Sequence, residues 1–272
     1  MKIAVLAKEI PDSDIVDAFA WAGRLQIDPT IKAIRREGIA LGMNAYDEQA
    51  IEAAMRLRDA GVKGTISVLS VGGTAPDKLF QRAFALGADE GYHLADPAFD
   101  EADSVGVAHI LAAAIRHVGG ADLVLCGRQG SDYDQGIVGP TVAALMDIPC
   151  ISIARDVKAV SEKVVRVIRV IPDGEETVDV ELPAVVTISN ELGTPRYPPA
   201  MALFAARRKR ATTLTAKEIG VDPARVSVSG QRVRRVDMYI PELKGKCEFL
   251  DGGGPREVAA KLAQRLREDG LI

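Results

Sequence analysis

The chain has 272 residues, 47% of them hydrophobic and 26% charged, enough to bury a large core and to form one α/β domain with an appended arm. Its 38 acidic residues against 34 basic ones leave a formal charge of -4, which gives no reason to expect nucleic acid or an anionic membrane as a partner. The three cysteines, Cys126, Cys150 and Cys247, have no C-x-x-C spacing, and an odd number suits a reduced, cytoplasmic setting rather than a disulfide framework.

In chain order, residues 3–7 form an apolar run closed by Lys8, Glu9 and Pro11. This predicts a first, central strand; the run is too short for a signal peptide or a membrane span. Between residues 12 and 36 the pattern is weak. A short helix that packs Trp21 and an edge ribbon of Ile27, Ile31 and Ile34 are compatible with it. Asn44 and the acidic pair Asp47 and Glu48 precede Ala50, Ile51, Ala54, Met55 and Leu57 at helical spacing, the pattern of a capped amphipathic helix. A β-branched strand over residues 65–71, ended by Gly72 and Gly73, leads into a helix over 77–86. A short strand over 91–95 and a helix over 103–118 follow. His109 and His117 lie eight residues apart on that helix with no third ligand at metal spacing, so they read as packing or surface residues.

Residues 122–146 organise the chain. An apolar strand over 123–126 runs into a polar loop from Gly127 to Asp134, and then Ile137, Val138, Val142, Ala143 and Met146 recur at helical spacing. In an open α/β sheet, ligands sit beyond the carboxyl ends of strands, where a helix N-terminus presents free N–H groups to phosphate. Gly136 and Gly139 would let a phosphate approach the backbone. The plainer reading is an ordinary βα connection whose glycines only make the turn. Alternating β and α units up to about Asp147 predict a Rossmann-like, doubly wound parallel sheet.

After Pro149 the texture becomes that of hairpin strands, at 150–160, 164–171 and 176–182, with a turn at Pro172, Asp173 and Gly174. Residues 183–189 return an apolar strand to the sheet. Pro195, Pro198 and Pro199 read as irregular chain. Met201, Leu203 and Phe204 beside the basic run from Arg207 to Arg210 suit either a docking surface or a surface crossover. From Thr212 the sequence reads as an arm, so the expected division is 1–211 for the α/β domain and 212–272 for the arm. The arm ends in an amphipathic helix marked by Val258, Leu262 and Leu266 after Pro255, and it is expected to lie on a partner subunit or across its own domain. No P-loop, nucleophile elbow, H-E-x-x-H or Cys/His cluster is present, so catalysis is not indicated. Lys8 and Asp134 are the candidates for a base, each equally explained as a polar residue at a binding edge.

The segments AVLAKEIPD, MNAYDEQAIEAAMRLRDAG, VLSVGG with ALGADEGYHL, LVLCGRQGSDYDQGIVGP, LPAVVTISN and TPRYPP together resemble the β subunit of electron transfer flavoprotein, in order and spacing, from Met1 to about Asp222. The resemblance implies a larger α subunit as partner, FAD held mainly by that subunit, an adenine nucleotide on this chain, and electron exchange with a flavoprotein dehydrogenase such as an acyl-CoA dehydrogenase. Carried over by position, it implies a nucleotide site at Ala7, Asn44, the strand end from Ser70 to Gly72, Cys126, Gly127, Arg128, Gln129, Asp134, Gln135, Gly136, Ile137, Val138 and Gly139, with a helix beginning near Gln135. Where relatives have Asn-Gln-Thr or Thr-Ala-Gln, this chain has Gln135, Gly136 and Ile137, and Ile137 has no side-chain donor. NAYDE resembles members that carry AMP, the favoured occupant. Arg36 to Gly38, the VGP and the terminal helix resemble electron-bifurcating members, which hold a second FAD and meet NAD. A stand-alone nucleotide-binding enzyme of the same broad fold is the competing class. The resemblance also implies partner docking by Tyr197, Ala200, Met201 and Leu203. The family's anchoring leucine falls on Ala200, which leaves Met201 and then Leu203 as the larger apolar groups.

Overall fold

In the computed structural model, residues 1–73, 76–241 and 247–272 are described. The elements run β1 (Lys2–Leu6), β2 (Glu9–Pro11), α1 (Ser13–Trp21), β3 (Ile27–Asp28), β4 (Ala33–Ile34), β5 (Leu41–Met43), α2 (Ala45–Asp59), β6 (Thr65–Val71), α3 (Pro76–Leu86), β7 (Glu90–Leu94), α4 (Ser104–His117), β8 (Leu123–Gly127) and α5 (Val138–Met146). They continue as β9 (Cys150–Ala159), β10 (Val164–Ile171), β11 (Gly174–Glu181), β12 (Ala184–Ile188), α6 (Ala200–Ala206), β13 (Thr212–Leu214), α7 (Ala216–Ile219), α8 (Pro223–Val226) and α9 (Pro255–Glu268).

Nine strands make one sheet in the order β11-β10-β9-β12-β8-β1-β6-β7-β13. From β9 to β13 in that order every pairing is parallel, while β9, β10 and β11 meet antiparallel. β1, β8 and β12 read as unbroken apolar runs because both faces are covered. Successive residues serve opposite cores. Ile3, Val5, Leu123, Leu125 and Val186 pack with Ala50, Ile51 and Leu57 of α2 and Leu79 and Phe80 of α3. Ala4, Leu6, Val124, Cys126 and Val185 pack with Ala108, Ile110 and Leu111 of α4 and Val142 and Ala143 of α5. Each large aliphatic side chain so buried contributes about 1.5–3 kcal/mol.

The doubly wound parallel sheet with added hairpin strands is as the sequence predicts. β11 is one edge of the sheet; its carboxylates Glu175, Glu176 and Asp179 pair inward with Arg155, Arg169 and Arg166 at 2.6, 3.6 and 2.7 Å. The chain clusters as two compact units, Met1–Met238 and Tyr239–Ile272. Within the first, β13 pairs with β7, and Leu214, Ala216, Ile219 and Val226 join the core beneath α4. The second unit holds α9, which has no buried residue and is tied to its own unit by Arg265 to Glu248 at 3.0 Å. Among the described residues no helix is long and apolar enough to cross a membrane.

Three local expectations are corrected. Trp21 ends α1 with 81% of its surface exposed, because α1 buries no residue and offers the indole nothing to pack on. The proline segment is not irregular throughout: Pro199 occupies the N-cap of α6 in extended geometry, and a helix can begin directly after such a proline. Residues 212–226, where the sequence reads as the start of an arm, add an edge strand and two short helices, elements of three or four residues that no periodicity can mark.

Candidate functional site

The crevice forms where the strand order reverses. From β1 the chain passes through α2 to β6 and β7; from β8 it passes through α5 toward β9 and β12 on the other side. β1 and β8 are hydrogen-bonded neighbours. Their exits therefore diverge and leave a cleft at their carboxyl ends, the place where open α/β sheets bind ligands.

Asp47, in the first turn of α2, lies against the ends of both strands. One carboxylate oxygen accepts from the Lys8 N–H at 2.8 Å and the other from the Gly127 N–H at 2.9 Å, so a single side chain joins the ends of the two diverging strands. The approach requires glycine at 127: a Cβ there would lie 2.5 Å from Asp47 Oδ1 and 2.5 Å from Tyr46 Cβ. Burial pushes the Asp47 carboxyl up to about 7, against the Lys8 and Gly127 amides, the Asn44 side chain and the Lys8 charge, which all pull it down.

Asn44 holds the N-cap position of α2, yet its side chain makes no cap bond. Instead Nδ2 donates to the Gln129 carbonyl at 2.8 Å, and Oδ1 accepts from the Ser131 N–H at 3.2 Å. The expected cap is thus spent on tying the loop after β8 to the start of α2. The loop is fastened elsewhere too. The Arg128 N–H donates to Ile188 at 2.8 Å, its guanidinium lies 5.6 Å from the Tyr46 ring centre, and Gln129 Nε2 donates to Asp134 at 2.7 Å. Lys8 reaches Asp132 at 2.6 Å and lies over Tyr133.

The helix expected near Gln135 begins three residues later, at Val138. Asp134 and Gly136 have φ of 50° and 63°, left-handed turns that a right-handed helix cannot include. Gln135 is held by the Ser104 hydroxyl. Gly139 serves packing: a Cβ would stand 2.7 Å from Cys126 Sγ and 2.8 Å from Thr187 Cγ2, so glycine lets α5 lie against the sheet. The first turn of α5 carries no acidic residue, and Ile137 gives no side-chain cap. Pro140 has no N–H to offer. The Val138 and Gly139 N–H groups have no intrahelical acceptor, so this helix end has a donor set that fits a phosphate.

Ala7 and Cys126 are buried, with their side chains in the cores on opposite faces of the sheet. Burial, with the Asp47 charge and Cys150 nearby, pushes the Cys126 thiol well up, so it stays protonated. Ser70 is buried, and Gly72 turns toward β7, donating to Leu94 at 2.8 Å and meeting His93 Nε2 through its carbonyl at 2.8 Å. The residues expected at the site therefore divide. Contacts tie Asn44 to Gln129, Gln129 to Asp134, Gly136 to the Arg128 carbonyl and Gly139 to Cys126, while the Ala7 N–H donates to Leu69 at 2.9 Å and Ser70 and Gly72 stand at the end of β6. Asp47 and Ser131 escaped sequence reasoning. An acidic residue in a first helical turn reads as a complement to the helix dipole, and nothing local shows that it reaches a glycine 80 positions away.

The same helix carries a second cluster. Glu52 accepts from Arg196 Nε at 2.7 Å, from the Arg196 N–H at 3.1 Å and from Arg56 Nε at 3.0 Å, and Arg196 also reaches Asp59 at 2.7 Å. Burial pushes the Glu52 carboxyl up, but the bonds from Arg196 and Arg56 outweigh it and leave it below its usual value. Arg82, paired with Glu48 at 2.9 Å, lies 5.6 Å from the Tyr197 ring centre. Beyond this anchor Tyr197, Met201 and Phe204 are 80%, 78% and 61% exposed, and Ala200 is exposed. Leu203, expected among the exposed apolar groups, packs against the core; at helical spacing Phe204 takes the outer position.

The family model for the electron transfer flavoprotein domain matches residues 31–219. Over the whole of both chains the sequence is 35% identical to the electron transfer flavoprotein subunit beta of Thermoanaerobacterium thermosaccharolyticum. It is 32% identical, again over all of both chains, to the caffeyl-CoA reductase-Etf complex subunit CarD of Acetobacterium woodii. Identity to the electron transfer flavoprotein subunit beta of Megasphaera elsdenii is 30%, across 89% of this chain and 88% of that one. With the doubly wound sheet and a phosphate-suited crevice at its switch point, these matches establish that the chain belongs to the electron transfer flavoprotein family, as a β subunit that works with an α subunit in a flavin-associated, electron-transferring complex.

Proposed function

We propose that this chain binds an adenine nucleotide, AMP, in the crevice between β1 and β8, and passes electrons from a flavoprotein dehydrogenase through FAD held with an α subunit in the cytoplasm. The observation that carries the nucleotide is the uncapped N-terminus of α5 opening onto the ends of two diverging parallel strands. Val138 and Gly139 would hold phosphate by N–H groups, and backbone carbonyls at Ala7 and from Cys126 to Arg128 would offer acceptors to the adenine amino group, the Gly127 and Arg128 N–H groups being bonded within the chain. The bound flavin supplies the redox chemistry. This chain's part is to anchor the nucleotide and to present Tyr197, Met201 and Phe204 to a partner such as an acyl-CoA dehydrogenase, with Arg207, Arg208, Lys209 and Arg210 steering an acidic surface.

A second reading places another FAD in the same crevice, with NAD as a further partner. It is favoured by the likeness to CarD, a relative whose name joins it to a caffeyl-CoA reductase complex. Co-purification with the α subunit, extraction and mass analysis separate the two. AMP with one FAD per heterodimer supports the first reading, and two FAD without AMP supports the second. An empty extract, with no binding on adding either nucleotide, refutes both.

A further inference from the structure

Between β12 and α6 the chain crosses the surface without a ladder of its own: residues 193–199 are neither helix nor strand, so their course is set by groups elsewhere. One stripe of α2 supplies those groups. Gln49, Glu52, Arg56 and Asp59 recur at the three- and four-residue steps of one helix face. Gln49 Nε2 donates to the Asn190 and Gly193 carbonyls at 3.3 and 3.2 Å, and Arg56 Nη1 donates to the Leu192 carbonyl at 3.0 Å. Glu52 and Asp59 then grip Arg196 together, Glu52 through both its N–H and its guanidinium and Asp59 through the guanidinium alone. Arg196 is the last of these fastenings before α6, separated from it only by Tyr197 and by Pro198 and Pro199, whose rings fix φ.

We propose that Arg196 is the positioning residue of the partner-docking face: clamped between Glu52 and Asp59, it fixes the start of α6 so that Met201 and Phe204 already stand outward together when the partner arrives. The proposal rests on the docking reading above and adds to it a residue that acts through α6 rather than by contact with the partner.

α6 has little of its own to hold its orientation. It has seven residues and buries one, Ala206, with Leu203 packed against the core, and a helix so short gains little from its own hydrogen bonds. Its N-cap is a proline and makes no side-chain cap. The fastening just before it therefore decides how it is presented. The Glu52 side chain is only 7% exposed, which keeps its carboxylate in one place, and a guanidinium is a planar fork that can meet two carboxylates at once. Arg196→Lys keeps the charge and loses the fork, and Arg196→Gln loses both. With the clamp open, the presented arrangement becomes one of several, and apparent affinity for the partner falls in proportion to the fraction of molecules that still adopt it. The docked complex is the same complex, so the rate at saturation is kept.

Steady-state flavin reduction in the heterodimer with the α subunit, with an acyl-CoA dehydrogenase and its acyl-CoA as electron donor, tests this. Arg196→Gln should raise KM for the dehydrogenase about tenfold, as expected if the presented arrangement falls to about a tenth of the population, with kcat within about twofold of native. Arg196→Lys should fall between, at about threefold. Asp59→Asn removes an exposed partner of the same guanidinium and leaves Glu52 paired with Arg196 and Arg56; it should raise KM about threefold and carries the test where Arg196→Gln does not fold. Hydrogen exchange in the free heterodimer should quicken over residues 196–206 in each variant, a result that does not depend on the dehydrogenase. If Met201→Ala and Phe204→Ala raise KM, then native KM in Arg196→Gln or Asp59→Asn, a loss of kcat in place of the KM effect, or native exchange over residues 196–206 overturns the proposal alone. Native KM in both Met201→Ala and Phe204→Ala, or a native heterodimer that takes no electrons from the dehydrogenase, overturns the docking reading and the proposal with it.

Discussion

In the crevice the working groups are backbone atoms and one buried carboxylate; in residues 196–206 they are side chains standing in solvent. Both are set on α2, three of whose successive turns carry Asn44 and Asp47, then Glu48 and Gln49, then Glu52. The crevice cannot be altered without touching the packing of the sheet, because the glycines that shape it are the ones that let helices approach. On the proposed docking face Tyr197, Met201 and Phe204 stand in solvent and can be replaced with little effect on stability while Arg196 is held. The proposed ligand site, made of main chain, is thus tied to stability, and the proposed partner site, made of exposed side chains, is not.

The sharpest way to break that contrast is Gly127→Ala. The added Cβ meets Asp47 and Tyr46 at 2.5 Å, and the Tyr46 backbone carbon at 2.9 Å, so the variant should lose about 3 kcal/mol of stability together with nucleotide retention. Urea unfolding and extraction would read the two losses side by side, and a variant as stable as native would show that α2 can move aside. Glu52→Gln comes next. It weakens the charge-assisted bonds to Arg196 and Arg56, and about 2 kcal/mol is expected by denaturation, with AMP content unchanged. Loss of AMP in that variant would mean that the two regions of α2 are not separable.

A smaller effect comes from pH. The folded carboxyl of Asp47 titrates above its unfolded value, so the folded chain binds more protons between about pH 4 and 7, and stability falls as pH rises through that window. Glu52 and Asp103 are shifted down; their contribution is present above the unfolded value and lost in acid. The thermal midpoint should therefore peak near about pH 5 and decline by a few degrees toward pH 8. In Asp47→Asn the decline should vanish, which a calorimetric series would check. The smallest structural effect belongs to Met201→Ala and Phe204→Ala: within about 0.5 kcal/mol in stability, with the apparent KM for the partner dehydrogenase raised several-fold in stopped-flow flavin reduction. Native KM in both would take α6 out of the interface.

The sequence carried the sheet well and the site in part, for a physical reason. β1, β6, β8 and β12 are buried on both faces, so composition alone marks them, and the loop after β8 announces itself through Gly127, Gly130 and Gly136. What stayed hidden depends on contacts between distant positions. Asp47 meaning Gly127, Asn44 meaning Ser131 and Glu52 meaning Arg196 are pairs 80, 87 and 144 residues apart, invisible to any local window. The start of α5 lies later than residue pattern suggests because Asp134 and Gly136 take left-handed backbone that their types permit but do not require, and Leu203 turns inward on a helix that follows three prolines.

The edge strand β11 sets a limit on the whole sheet. Its outer row of N–H and C=O groups would accept another strand from any chain, and strands exposed in this way are where folded proteins stick to one another. Here the row is guarded by Glu175, Glu176 and Asp179, each drawn back across the ribbon by an arginine. The barrier at this edge is therefore a matter of ionisation rather than shape. In acid strong enough to neutralise those carboxylates the arginines stand unpaired, so the guard at β11 passes from balanced ion pairs to a net positive charge that still opposes the addition of another copy.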